Sequence, residues 1–150
     1  MRTCLFLAAV CGSAVLADEP KADAVKAEQK KLEGTWVLTG VEIKGTTTAA
    51  PDDGTVFVFG ADGSLVAKEK GRPDKKGTFR VDPGKKPREI DFVEAEKGKE
   101  ADAKLMMAIY ELDGNALRLG VPVGGDPAKI RLGGFDAADA CIWHLKKLKK

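Results

Sequence analysis

The chain has 150 residues, 43% of them hydrophobic and 32% charged, and its formal net charge is +2. This profile is that of one soluble domain with an ordinary core. Acidic residues nearly balance basic ones, and no aromatic residues are interleaved with the lysines for base stacking, so we expect no nucleic-acid partner.

The first 17 residues have the layout of a signal peptide. Arg2 supplies the positive end, Cys4 to Val15 the apolar stretch, and Val15-Leu16-Ala17 the compact residues that a signal peptidase reads. About a dozen apolar residues are too few to cross a bilayer, which needs roughly 20. We predict cleavage after Ala17, export to the periplasm or the exterior, and no stable membrane insertion afterwards.

The cysteines are divided between this leader and the mature chain. Cys4 and Cys11 lie in the leader, so only Cys141 remains and no intramolecular disulfide can form. The alternative is a lipoprotein in which Cys11 is acylated. Val10 fits poorly before an acylated cysteine, so cleavage after Ala17 is the favoured prediction.

Residues 18–33 are predicted to form a helical lead-in to the domain. Lys21 to Leu32 is rich in Ala, Lys, Glu and Gln, all good helix formers. Val25 and Leu32 are seven residues apart and share one helical face. We expect a short surface helix that covers one end of the domain.

From Gly34 onward the hydrophobic pattern has period 2, and turn residues recur at short intervals, which indicates an antiparallel all-β domain over residues 34–150. Asp62-Gly63 and Asp113-Gly114 are tight hairpin turns. The predicted strands are Thr35–Ile43, Thr55–Phe59, Ser64–Lys70, Gly77–Asp82, Arg88–Val93, Leu105–Leu112, Ala116–Val121 and Ala140–Leu145, with a further short strand at Lys129–Leu132.

About eight main strands are enough to close a small antiparallel up-and-down barrel. A short helix followed by Gly34-Thr35-Trp36 at the head of the first strand is also how small lipocalin-like barrels begin. An open sandwich is the alternative fold. Three longer connections are predicted as loops: Gly45 to Gly54, Glu94 to Lys104, and Val121 to Asp139.

Alternation along the strands predicts which side chains face the barrel interior. In the first strand, Trp36 and Leu38 face inward, opposite to Val37, Thr39 and Val41. The full inward set is Trp36, Leu38, Phe57, Phe59, Leu65, Ala67, Phe79, Val81, Ile90, Phe92, Tyr110, Leu112, Leu117, Leu119, Trp143 and Leu145. An eight-stranded barrel either packs its own interior or holds one small ligand. We expect a mostly filled interior with a small cleft at the open end.

Aromatic residues of this inward set are the candidate ligand contacts. They are Trp36, Phe57, Phe59, Phe79, Tyr110 and Trp143. For Trp36 the favoured interpretation is a packing residue that plugs the closed end and holds the first strand to the last.

No catalytic or metal-binding constellation stands out. His144 is the only histidine, and its alternation with Trp143 and Leu145 places it toward solvent. Cys141 is expected to be a small buried residue rather than a nucleophile. Asp52-Asp53-Gly54, Asp62 and Asp113 match turn chemistry rather than a calcium loop. We therefore predict no enzyme activity, no metal and no cofactor.

Three stretches resemble a family of secreted planctomycete paralogues of unknown function, described as lipocalin-like. They are Leu32-Glu33-Gly34-Thr35-Trp36, the block from Lys76-Gly77-Thr78-Phe79-Arg80 to Arg88-Glu89-Ile90-Asp91, and Ile109-Tyr110-Glu111-Leu112-Asp113-Gly114-Asn115-Ala116-Leu117-Arg118-Leu119. The resemblance covers most of the mature chain and implies a small secreted β-barrel without an established activity. The chain departs from the family pattern after Leu119, where Gly120 replaces a cysteine and Asp126-Pro127 replaces an Arg-Pro pair. Lys146 or Lys147 must also cover the tryptophan where lipocalins use an arginine.

Two functions follow as hypotheses. The first is a monomeric, non-catalytic module that binds a small apolar or amphipathic molecule at the open end of the barrel, which is an argument from fold alone. The alternative is an interaction or inhibitor module of the cell envelope that contacts a protein partner through its long loops.

Overall fold

The computed structural model describes residues 21–50, 54–95 and 103–149. The predicted signal peptide, the Cys11 alternative and most of the Glu94 to Lys104 loop lie outside these residues. The described chain forms α1 (Ala22–Leu32), β1 (Gly34–Ile43), β2 (Thr46–Ala49), β3 (Val56–Phe59), β4 (Ser64–Lys68), β5 (Lys75–Asp82), β6 (Arg88–Glu94), β7 (Lys104–Asp113), β8 (Ala116–Pro122) and β9 (Ala140–Lys147).

The strands form a closed antiparallel barrel in which each strand from β3 to β8 pairs with the next strand in the sequence. β1 pairs with β9 from Trp36↔Lys147 to Ile43↔Cys141, and this pairing closes the barrel. On its other edge β1 pairs with β3 through its first half and with β2 through its second half. β2 and β3 therefore act together as one barrel strand, and the predicted eight-stranded barrel with a short N-terminal helix is confirmed.

The strand β2 corrects the prediction of a loop from Gly45 to Gly54. Its residues Thr46 to Ala49 are all exposed, so no alternation of apolar residues marks them as a strand. Threonine is nevertheless a good strand former, and the second half of β1 offers a free edge for pairing.

The prediction that Val41 faces outward was wrong, because β1 contains a bulge at Thr39. The register between β1 and β9 shifts between Leu38 and Gly40, which leaves Thr39 as an additional residue. A bulge of one residue reverses the inward and outward alternation beyond it. Val41 consequently packs against the interior core instead of facing outward.

The interior is tightly packed at the end of the barrel where α1 lies. Leu32, Trp36, Ile90 and Leu119 are completely buried there. Apart from Ala67, which lines the cleft described below, the whole predicted inward set belongs to this core or packs against it, so the inward pattern is confirmed. We call this end of the barrel the closed end and the opposite end the mouth.

The helix α1 is joined to the closed end by contacts that the chain makes around Trp36. The Trp36 Nε1 donates a hydrogen bond of 2.7 Å to the carbonyl oxygen of Leu32, the last helical residue. The Lys147 Nζ lies 5.3 Å from the centroid of the Trp36 ring and donates to the carbonyl oxygen of Lys31 at 2.9 Å. Lys147 thus covers the tryptophan and ties the last strand to the helix.

The segment between β8 and β9 folds back onto the outer wall of the barrel. Leu132 is buried there with Ile109 and Ile142, and Phe135 packs against the same cluster. The predicted strand Lys129–Leu132 was wrong, because these residues form turns and irregular backbone. Leu132 is apolar because it packs on the outer wall instead. In the described part of the chain, no helix is long and apolar enough to span a bilayer.

Candidate functional site

A cleft of about 270 Å³ occupies the interior of the barrel at the mouth. Strands β3 to β7 and β9 all contribute to its lining, so it lies between opposite walls rather than on one face. The apolar residues that line it are Phe57, Leu65, Ala67, Phe92, Val93, Met106 and Trp143. A concave, mostly apolar pocket with a few polar groups is the usual form of a small-molecule site.

Two aromatic rings from the strands on either side of β1 stack at this cleft. The ring centroids of Phe57 on β3 and Trp143 on β9 are 5.8 Å apart, and the ring planes differ by 25°. Both side chains are only partly buried, in contrast to the aromatic residues of the closed end. Each of them therefore keeps part of its surface accessible at the cleft.

The six predicted ligand contacts separate into two groups by depth in the barrel. Phe57 and Trp143 line the cleft. The other four are almost completely buried at or toward the closed end and do not line it: Trp36, Phe59, Phe79 and Tyr110. Phe59 and Phe79 pack edge to face with centroids 5.0 Å apart, which fills the lower interior with protein side chains.

Met106 lines the cleft but was not among the side chains predicted to face inward. Its signal was available, because counting back in twos from the inward Tyr110 along β7 reaches Ala108 and Met106. Leu65, Ala67 and Phe92 were predicted to face inward, but alternation does not say how deep a residue lies. Depth depends on the strand stagger around the barrel, which a single sequence does not reveal.

Charged side chains lie at the edge of the cleft next to this apolar lining. Glu69, Lys75 and Glu94 all contribute to the wall. Glu69 accepts a hydrogen bond of 2.7 Å from Arg72 and a longer one of 3.3 Å from Lys75. The mouth therefore combines apolar walls with charged groups at its rim.

Gly77 keeps the β5 wall of the cleft free of a side chain. It pairs with Glu94 of β6, and a Cβ added at Gly77 would collide with the carbonyl oxygen of Val93. The close approach of these two backbones requires glycine at this position. Because glycine has no side chain, the interior of the mouth keeps free space at this position.

His144 and Cys141 lie on opposite faces of β9. His144 is on the outer wall, where its Nε2 is 3.1 Å from the Glu42 carboxylate. Cys141 is buried and faces the core, and burial raises the pKa of its thiol, which disfavours the reactive thiolate. Among the described residues, no group of three or more His, Cys, Asp or Glu side chains could hold a metal ion.

A buried carboxylate that sequence reasoning also missed joins α1 to the barrel. Glu28 Oε1 accepts hydrogen bonds from Arg88 Nη1 at 2.5 Å and from the Tyr110 hydroxyl at 3.2 Å, and Oε2 accepts one from Lys31 at 2.9 Å. Burial acts to raise the pKa of Glu28, but the bonds and charges of Lys31 and Arg88 outweigh it and lower the pKa. Burial and the nearby Glu28 charge raise the pKa of Tyr110 well above its ordinary value.

This network belongs to the closed end and does not contact the cleft. Its four side chains satisfy one another, and among the described residues no buried side-chain nitrogen or oxygen lacks a hydrogen-bond partner. The network therefore has a structural role, because its hydrogen bonds and ion pairs hold the helix α1 to the barrel.

No protein-family model, curated protein or solved structure matches the chain.

Proposed function

We propose that the protein is an exported, monomeric, lipocalin-like module that binds a small apolar or amphipathic molecule in the mouth cleft and has no catalytic activity. The observation that supports this proposal is the cleft itself, which lies in a barrel whose closed end is occupied by buried side chains. Apolar walls would remove a ligand from water at about 25 cal/mol per Å² of buried surface. The charges at the rim would orient a polar end.

A substitution that fills the cleft provides a direct test. Ala67 faces the cleft from β4, and its neighbour Val66 faces the opposite side of the strand. We expect Ala67→Phe to abolish the fluorescence increase of N-phenyl-1-naphthylamine that the unchanged protein produces. The control Val66→Phe adds a ring to the outer face and should leave the increase unchanged. Equal binding by both variants would show that the probe binds elsewhere.

The natural ligand is sought by native mass spectrometry of the protein purified from its own cell envelope. An added mass that disappears on denaturation would establish a bound small molecule and begin its identification. A bare protein mass would favour the alternative, an envelope interaction or inhibitor module. That alternative draws its support from the β1–β2 hairpin, whose second strand is exposed along its whole length.

Export is tested by the same preparation. We propose that the mature chain begins at Asp18, in keeping with the resemblance to secreted planctomycete paralogues. An intact mass that corresponds to residues 18–150 is the expected result. A chain that begins at Cys11 with the added mass of acyl groups would establish the lipoprotein alternative, and a chain that begins at Met1 would overturn export through this leader.

A further inference from the structure

The lining of the mouth cleft includes three aromatic side chains. Phe57, Phe92 and Trp143 reach it from three different strands, and Met106 adds a thioether from a fourth. Phe57 and Trp143 are already stacked with ring planes only 25° apart. Aromatic rings favour offset stacking on one another, and thioether sulfur makes favourable contacts with ring edges.

The size of the cleft limits what can enter. An apolar cavity of about 150 Å³ is sufficient for benzene. The cleft measures about 270 Å³, which is just below the range of roughly 300–1,000 Å³ that is usual for drug-sized ligands. Two fused rings match this volume, whereas a sterol or a long acyl chain exceeds it.

The charged groups at the rim determine where a polar group of the ligand would lie. Lys75 contacts Glu69 at 3.3 Å, and Glu69 is held independently by Arg72 at 2.7 Å. Lys75 can therefore turn toward a ligand oxygen while Glu69 keeps a cationic partner. A single hydroxyl on the ligand would find both a donor and an acceptor at this edge.

We propose that the mouth cleft selects planar, bicyclic aromatic molecules that carry one polar substituent. The inference rests on the proposed binding function and deepens it by naming the class of ligand. The flat ligand extends the stack of Phe57 and Trp143, the thioether of Met106 contacts its edge, and its substituent points to the rim beside Lys75.

The test compares 2-naphthol with decahydro-2-naphthol, which has the same carbon skeleton and hydroxyl position but no aromatic plane. We expect isothermal titration calorimetry to show about tenfold tighter binding of 2-naphthol, in line with the gain from aromatic pairs beyond buried area. Phenol and cyclohexanol, which are both small enough for the cleft, separate stacking from size. Phenol should again bind more tightly.

Substitutions of the two stacked rings test whether these rings cause the preference for aromatic ligands. Trp143→Leu and Phe57→Leu keep apolar bulk in the wall but remove one ring each. Each should weaken 2-naphthol binding about tenfold and decahydro-2-naphthol binding by less than about twofold. Val66→Leu, which changes the outer face of the same barrel, should alter neither. Having two ring variants keeps the test decisive if one of them fails to fold.

Each outcome has a distinct meaning. Equal or tighter binding of the saturated alcohols would overturn the aromatic selectivity and leave the binding function standing. Equal losses of both ligands in the ring variants would also overturn it, because the rings would then act only as apolar bulk. Failure of all four alcohols and of N-phenyl-1-naphthylamine to bind would overturn the proposed function together with this inference.

Discussion

At the scale of single residues, Trp36 shows how one side chain can close a barrel end. It is completely buried, it bonds the end of α1 through its Nε1, and Lys147 covers its ring. We expect Trp36→Ala to lower the free energy of unfolding by about 3–5 kcal/mol, the usual cost of removing a large core side chain. Trp36→Phe retains most of the ring and should cost about 1–3 kcal/mol, because it leaves the Leu32 carbonyl without its donor.

Urea unfolding followed by far-ultraviolet circular dichroism measures both variants. Trp143→Ala is the matched control, since this second tryptophan is only partly buried. A Trp36→Ala cost no larger than that of Trp143→Ala would contradict a plugging role for Trp36.

Glu28 predicts a particular pH dependence of stability. Its pKa in the folded protein is lowered from the ordinary value of 4.5, so the folded state favours the charged carboxylate. The resulting stabilisation is fully present above the unfolded pKa and is lost as the pH falls through the folded pKa. Glu28→Gln removes this contribution, so its stability should fall less steeply than that of the unchanged protein below about pH 4.5.

Thermal unfolding measured from pH 7 downward tests this expectation. Glu111→Gln serves as the control, because the Glu111 carboxylate pairs with Arg118 on the exposed surface, where ion pairs contribute little. Parallel pH profiles for Glu28→Gln and the unchanged protein would rule out Glu28 as a source of acid sensitivity.

At the scale of elements, the packing of β5 against β6 depends on Gly77. An added Cβ would meet the backbone of Val93 and Glu94 rather than a side chain that can move away. We expect Gly77→Ala to push the two strands apart and to lower the free energy of unfolding by about 1–3 kcal/mol. Binding at the cleft should weaken with it, because β5 and β6 form two of the walls.

Gly133 is the control for this substitution. A Cβ there meets no atom within 4 Å, and its backbone does not have a positive φ. Gly133→Ala should therefore change the stability by no more than about 0.5 kcal/mol. A Gly77→Ala variant as stable as Gly133→Ala would show that the two strands relax without cost.

The elements also show how far sequence reasoning reaches. Period-2 alternation predicted the barrel and its inward set, because strands with one buried face carry that pattern. The strand β2 was not predicted because Thr46 to Ala49 are exposed on both faces and therefore show no alternation. Ile130 and Leu132 alternate as strand residues do, which led to the wrong strand prediction; Leu132 is instead buried in the cluster on the outer wall.

The candidate site was predicted only in part for a related reason. Trp36 and Trp143 both face inward, yet they lie at opposite ends of the barrel. Alternation assigns a face, while depth follows from pairing registers between distant strands. Glu28 had a usable signal, because it lies between Val25 and Leu32 on the one apolar stripe of α1 and is therefore drawn into the buried interface.

At the scale of the whole molecule, the barrel is asymmetric along its axis. The closed end combines completely buried side chains with the Glu28 network and the helix α1, whereas the mouth is lined by partly buried residues around a cleft. Local opening requires little energy where few buried contacts are lost. The two ends of the same strands should therefore open with different free energies.

Native-state hydrogen exchange measures this difference. We expect slow exchange of the amides around the pair Val81↔Ile90 and exchange at least about tenfold faster around the pair Ala67↔Lys75, with 2-naphthol slowing only the second group. Uniform protection along the strands would mean that the mouth is packed as tightly as the closed end. Such a result would remove the physical basis for a binding cleft, because a site that admits a ligand has to be the part of the barrel that opens at least cost.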